Sequence, residues 1–133
     1  AQGIHSGKVK CYALDRISNM EISQINFEKP TDFNLNEQMY YSFGIIIPEE
    51  DQPIEIILSF EPFQGQYVKS LPLHHTQQIL IDNETELRIS LKVYITKDFI
   101  MELLSYGSTL KVIQPQQLID TLKATYENAL KKY

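Results

Sequence analysis

The sequence predicts an α+β fold, and three observations carry that prediction. Ile54 to Phe60 and Glu86 to Ile95 alternate in hydropathy at strand period, the segments between and after them repeat apolar residues every three or four positions, and proline, glycine and Asx-rich turns separate the pieces. From Ile54 the order is therefore strand, helix, strand, strand, helix, strand, with one further helix at the end. Right-handed crossovers and one continuous apolar face pack that order into a four-stranded antiparallel sheet with two helices on one side, the ferredoxin-like βαββαβ sandwich with an added C-terminal helix. The other face of the sheet is left uncovered.

The chain opens on Ala1 rather than methionine, which is the expectation for a piece of a longer protein. Lys8 to Ser23 reads as two extended pieces hinged near Ser18 and Asn19. Val9, Cys11 and Ala13 alternate there with Lys8, Lys10 and Tyr12, and apolar residues resume at Ile17, Met20 and Ile22. From Gln24 to Thr31 the period is lost and Pro30 biases its predecessor away from helix, so this stretch is a linker to a new unit. Asn34 or Asn36 then caps a short helix with Leu35, Met39, Phe43 and Ile46 on one stripe, and Gly44 ends it.

After the turn from Pro48 to Pro53, the first strand of the sheet places Ile54, Ile56, Leu58 and Phe60 on one face. Pro62 suits the first position of a helix with Phe63, Tyr67, Val68 and Leu71 inward, which Gly65 weakens and Pro72 stops. Thr76 to Ile81 and Glu86 to Ile95 form a hairpin around Asp82 to Thr85. In its second strand Leu87, Ile89, Leu91, Val93 and Ile95 face the core, while Glu86, Arg88, Ser90, Lys92 and Tyr94 face outward. Thr96 caps a helix with Phe99, Ile100, Leu103 and Leu104 inward, Gly107 is its left-handed C-terminal residue, and Leu110, Val112 and Ile113 form a short strand. Pro115 opens a last helix with Leu118, Leu122, Tyr126 and Leu130 inward, and Lys131 and Lys132 complement the dipole at its end.

With 133 residues, 43% of them hydrophobic and 22% charged, the chain can bury one sizeable core without staples. A net charge of −5 argues against a protein whose main work is neutralising phosphates. The single cysteine, Cys11, excludes an intramolecular disulfide and a multi-cysteine metal site, and suits a reducing cytoplasm. No apolar run approaches the ~18 residues that cross a bilayer, and residues 1–7 lack the regions of a signal peptide, so no membrane partner is expected.

The residues that could carry chemistry are few. His74 and His75 have only distant His5 to join them, and neighbours in a strand point to opposite faces, so a structural role is expected and no metal site. Cys11 is a nucleophile only with a base brought from afar, and is read as a buried, inert thiol. The five glycines are scattered and form no phosphate loop. No catalytic residue and no cofactor is assigned. Arg16, beside Asp15 at a strand end, offers a planar fork to a phosphate or carboxylate. Tyr40 and Tyr41, with Tyr94, Arg88 and Lys92, make the aromatic and basic mixture used for stacking on bases.

Two stretches carry a family resemblance. Tyr12-Ala13-Leu14-Asp15-Arg16-Ile17, followed by Phe27 and Asp32-Phe33, resembles the end of a WYL domain, and Tyr41-Ser42-Phe43-Gly44-Ile45 resembles the helix after it in bacterial WYL-type transcriptional regulators. Leu73-His74-His75-Thr76-Gln77, Glu86 to Leu91, Leu104 to Gly107 and Val112 to Leu118 are similar to the carboxy-terminal extension of that family, the WCX domain. The resemblance implies a regulator with an amino-terminal helix-turn-helix that binds DNA, a WYL domain of Sm-like β-barrel type that senses a nucleotide or single-stranded nucleic acid, and a ferredoxin-like extension associated with dimerisation. It matches Arg16 to a ligand-contacting arginine. The chain has no tryptophan, and the strand and the helix-turn-helix that would complete such a regulator are not in it.

These readings give residues 1–23 as the last strands of a WYL domain, 24–47 as linker and amphipathic helix, and 48–133 as a WCX-like domain. The expected function is the effector-sensing and dimerisation region of a cytoplasmic bacterial transcription factor, non-enzymatic, a homodimer that reaches DNA through an absent amino-terminal domain. Its ligand residues are Arg16, Arg88, Lys92 and Tyr94. The alternative is a standalone ferredoxin-like module whose open face takes a protein partner or single-stranded nucleic acid.

Overall fold

The structure is a computed structural model, and it describes residues 12–28, 34–48 and 51–133. The chain divides into two units, Ala1–Glu37 and Gln38–Tyr133. Among the described residues of the first, Leu14–Arg16 forms one 3-10 turn, closed by the amides of Arg16 on Ala13 O (3.1 Å) and Ile17 on Leu14 O (3.2 Å). The described part of the expected extended pieces forms no strand: residues 12–28 hold no ladder and every one of them is exposed, Ile22 at 98%. A strand is fixed by partners for its backbone groups, and an alternating sequence without them specifies none. Lys8, Lys10 and Cys11, with the inert-thiol reading, lie outside the described residues, as do His5, Pro30 and Asp32-Phe33.

Helix α1 (Leu35–Met39) is capped by Asn34, whose side-chain oxygen accepts the Asn36 amide at 3.1 Å. It is one turn shorter than the apolar spacing predicts. The Tyr41 carbonyl accepts the Tyr94 amide (3.0 Å) and the Phe43 carbonyl faces the Thr96 hydroxyl (3.5 Å), so tertiary partners take the groups that helix continuation needs. Gly44 turns the chain at φ +77°.

The rest of the second unit follows in the order β1 (Ile54–Phe60), α2 (Pro62–Ser70), β2 (Gln78–Asp82), β3 (Leu87–Val93), α3 (Lys97–Ser105), a 3-10 turn, β4 (Leu110–Gln114) and α4 (Gln116–Leu130). The four strands form one antiparallel sheet in the order β2-β3-β1-β4, with Ile56 opposite Leu91 and Leu58 between Ile89 and Val112. Ile56, Leu58 and Phe60 of β1 meet Leu87, Ile89, Leu91 and Val93 of β3 on the core face, covered by Val68, Phe99, Leu103, Leu118 and Leu122. Each of these is under a tenth exposed, so this one layer holds nearly all the hydrophobic stabilisation.

Two inward faces differ from the pattern. In α2 the residues against the sheet are Gly65 and Val68, while Phe63, Tyr67 and, at the C-cap, Leu71 are 76%, 58% and 79% exposed. A Cβ on Gly65 would lie 2.7 Å from Leu87 Cβ, so the helix backbone sits directly on β3 and the bulkier stripe turns outward. In α4, Leu118 and Leu122 are buried but Tyr126 and Leu130 are not. At ~1.5 Å per residue the fifteen-residue helix outruns the sheet beneath it. The Tyr126 hydroxyl, rather than its ring, is tied down, donating to Leu104 O at 3.3 Å.

Candidate functional site

The uncovered sheet face is built by the residues that alternate with the core. Glu55 stands opposite Lys92, Ile57 opposite Ser90 and Ser59 opposite Arg88 between β1 and β3, with Gln78 of β2 beside Ser90 and Lys111 of β4 beside Ser59. The expected outward set of Arg88, Ser90 and Lys92 is on this face. Tyr94 comes one residue after β3 ends, and Ser90 is only 5% exposed.

Arg88 is occupied. Its guanidinium donates to Glu86 Oε1 (2.7 Å) and Oε2 (3.2 Å), and the Ser59 hydroxyl donates to the same carboxylate. The Ser59 hydrogen bond above all, together with the Arg88 charge, holds the Glu86 carboxyl below the usual carboxylate range against the opposing effect of burial. A ligand phosphate at Arg88 would have to displace a bidentate partner already in place.

Lys92 is differently placed. It makes no ion pair among the described residues, and its amine stands 5.2 Å from the centre of the Tyr41 ring, within cation–π range. Tyr41 is the hub of an aromatic group. Tyr40 meets it edge to face at 4.9 Å, Tyr94 at 6.5 Å, and Tyr40 in turn meets His75 at 4.4 Å. Tyr40, Tyr41, His75 and Lys92, with Glu55, Gln78 and Ser90, border an open cleft of about 440 Å³, within the usual range for small-molecule sites, while Tyr94 touches Tyr41 from outside its lining.

His75 reaches this cleft, with His74 stacked behind it, through a turn rather than a strand. Gln77 N–H donates to His74 O (2.9 Å), and strand β2 begins only at Gln78, so the rings of His74 and His75 lie on one side, 4.1 Å apart, instead of on opposite faces. The turn is pinned twice. The Gln77 side chain accepts from Leu73 N–H (2.9 Å) and donates to Val68 O (3.1 Å), while the Thr76 hydroxyl oxygen accepts Lys92 N–H at 3.0 Å. His74 Nδ1 accepts the Thr76 amide at 3.3 Å. Burial first, and the neighbouring His75 second, push the His74 pKa below 6.5, so the neutral ring that this acceptor role requires is the favoured one.

Of the four ligand residues read from the sequence, the structure therefore brings Lys92 and Tyr94 together around Tyr41 and sets Arg88 further along the face in its own ion pair. Arg16 belongs to the first unit, exposed in its 3-10 turn. The expected set omits Tyr40, Tyr41, His75, Gln78, Ser90 and Glu55 of this site. Only the doublet Tyr40-Tyr41 carried a signal, its aromatic pairing.

Among the described residues no group of three histidine, cysteine, aspartate or glutamate side chains is placed to hold a metal ion, and no helix is long and apolar enough to cross a membrane. The described lining of the cleft offers flat aromatic walls, the His75 ring, one amine, one carboxylate and neutral amides and hydroxyls, chemistry complementary to a planar polar molecule. A comparison with curated proteins finds no match. The model of the WCX domain matches residues 52–130, more than half of the chain and nearly all of the sheet unit, and the chain thus belongs to the WCX-domain family.

Proposed function

We propose that this chain is the effector-sensing and dimerising region of a DNA-binding transcription factor of the WYL type, non-enzymatic, and that the cleft around Tyr41 is where its WCX domain meets the effector. The observation that carries this reading is the cleft itself: on the uncovered face of a WCX domain, Lys92 is the one amine among the described residues that borders it, framed by Tyr40, Tyr41 and His75. In the same reading residues 1–23 end a WYL domain of Sm-like type, the strand order β2-β3-β1-β4 supports a ferredoxin-like extension, and a homodimer relays effector binding to a DNA-binding domain that precedes this chain. The effector is a nucleotide or single-stranded nucleic acid. Aromatic walls suit a base, while a single amine suits one phosphate rather than a long run of them.

The test is fluorescence anisotropy of short single-stranded DNA and RNA against the chain over a salt series, with Lys92→Ala and Tyr40→Ala. The expected outcome is binding whose salt slope falls by about 0.7 in Lys92→Ala and whose affinity drops on the order of tenfold in Tyr40→Ala at constant slope. No binding by the folded chain, or binding indifferent to both changes, removes the cleft from the sensing surface.

A further inference from the structure

Helix α2 and its C-terminal cap present to solvent three of the four residues that the sequence assigns to the core, Val68 alone being buried. Phe63, Tyr67 and Leu71 are exposed while Gly65 and Val68 face the sheet, and the rings of Phe63 and Tyr67 touch edge to face at 5.4 Å, forming one apolar ledge. The ledge carries no free charge. From Pro62 to Leu71 the only charged side chain is Lys69, and its amine is 2.7 Å from Asp82 at the end of β2. That ion pair ties α2 to the free edge of the sheet, where Ile79 and Leu80 are each about half exposed. Single exposed apolar residues are ordinary, but two on one helix and a third at its C-cap, beside two on an edge strand, mark an association surface.

We propose that this ledge is the contact between two copies of the chain, with α2 of one lying antiparallel on α2 of the other. The proposal rests on the dimerising role put forward above and names its surface. Two observations choose a second copy as the occupant. The positions 63, 67 and 71 are symmetric about Tyr67, so an antiparallel partner sets Phe63 against Leu71 of the second copy, Tyr67 against its own equivalent and Leu71 against Phe63, the reciprocity that a twofold contact requires. The second is charge: two copies of a chain with net charge −5 repel over most of their surfaces, and a face without free charge is where they approach at least electrostatic cost. The helix is the contact rather than a strand added to β2, because the register shift between Ile79 and Ile81 interrupts the ladder at that edge.

Sedimentation equilibrium on the full chain tests this, comparing wild type with Phe63→Ser/Tyr67→Ser and with Met101→Ser, which alters a comparably exposed residue on α3. Far-UV circular dichroism checks that each stays folded, as replacing exposed side chains should allow. The expected result is a wild-type dimer, roughly tenfold or more weaker in the double variant and unchanged in Met101→Ser. A dimer that ignores the double change, or that Met101→Ser weakens equally, overturns this surface and leaves the dimeric reading standing. A monomeric wild type overturns both.

Discussion

Helices α2 and α3 are the same length, nine residues, and both lie in the unit built around one sheet, yet they use opposite means to bury themselves. Helix α3 inserts large side chains. Phe99 and Leu103 are completely buried, Phe43 meets the Phe99 ring edge to face at 5.3 Å, and Met101 is the apolar residue left outside. Helix α2 inserts almost nothing: it closes on β3 through Gly65 and Val68 and leaves its aromatic residues in water. The comparison teaches that apolar spacing says which residues share a face, while the separation between helix and sheet decides which face turns inward. A glycine on the competing face lets the backbone approach, and then the smaller stripe wins.

The sharpest way to break this comparison is to truncate one aromatic residue on each helix. Phe99→Ala removes a fully buried ring and is expected to cost about 3–5 kcal/mol, whereas Phe63→Ala, measured where the chain is monomeric, stays within about 0.5 kcal/mol. Urea unfolding measures both, and equal losses would mean that Phe63 is not outside. A smaller effect is expected at the glycine. Gly65→Ala gains about 1 kcal/mol of helix propensity but drives a Cβ to within 2.7 Å of Leu87 Cβ, an atom held by the strand backbone, so overpacking of about 1–3 kcal/mol prevails. A stabilised Gly65→Ala would show that α2 stands off the sheet.

What the sequence made legible follows the range of the interactions involved. The alternation in β3 names Leu87, Ile89, Leu91 and Val93 as core, and each is at most 2% exposed, because one strand between two others has its faces set by period alone. The Thr96 cap and the left-handed Gly107, at φ +56°, are equally local. The end of α1 was not legible, since it depends on Tyr94 and Thr96, more than fifty residues away in the chain. The site divides in the same way. That Lys92 and Arg88 share the open face is periodicity; that Glu86 occupies Arg88, and that a turn folds His75 onto Tyr40, are facts of side-chain geometry across the unit.

The helix starts extend the comparison to its smallest effects. Thr96 Oγ1 accepts the Phe99 amide (3.4 Å), but Glu61 at the start of α2 caps nothing with its side chain, and that end is held by its own amide on Thr109 O at 3.0 Å. Thr96→Ala is therefore expected to cost about 1 kcal/mol, with the loss of the Phe43 contact adding to it. Glu61→Asp, one methylene shorter, brings a carboxylate within reach of the free amides in the first turn and should gain a few tenths of a kcal/mol, read as a small rise in the urea midpoint at constant slope. A gain at Glu61 as large as the loss at Thr96 would make the two helix starts equivalent, and the asymmetry between α2 and α3 would then reside only in what each helix buries.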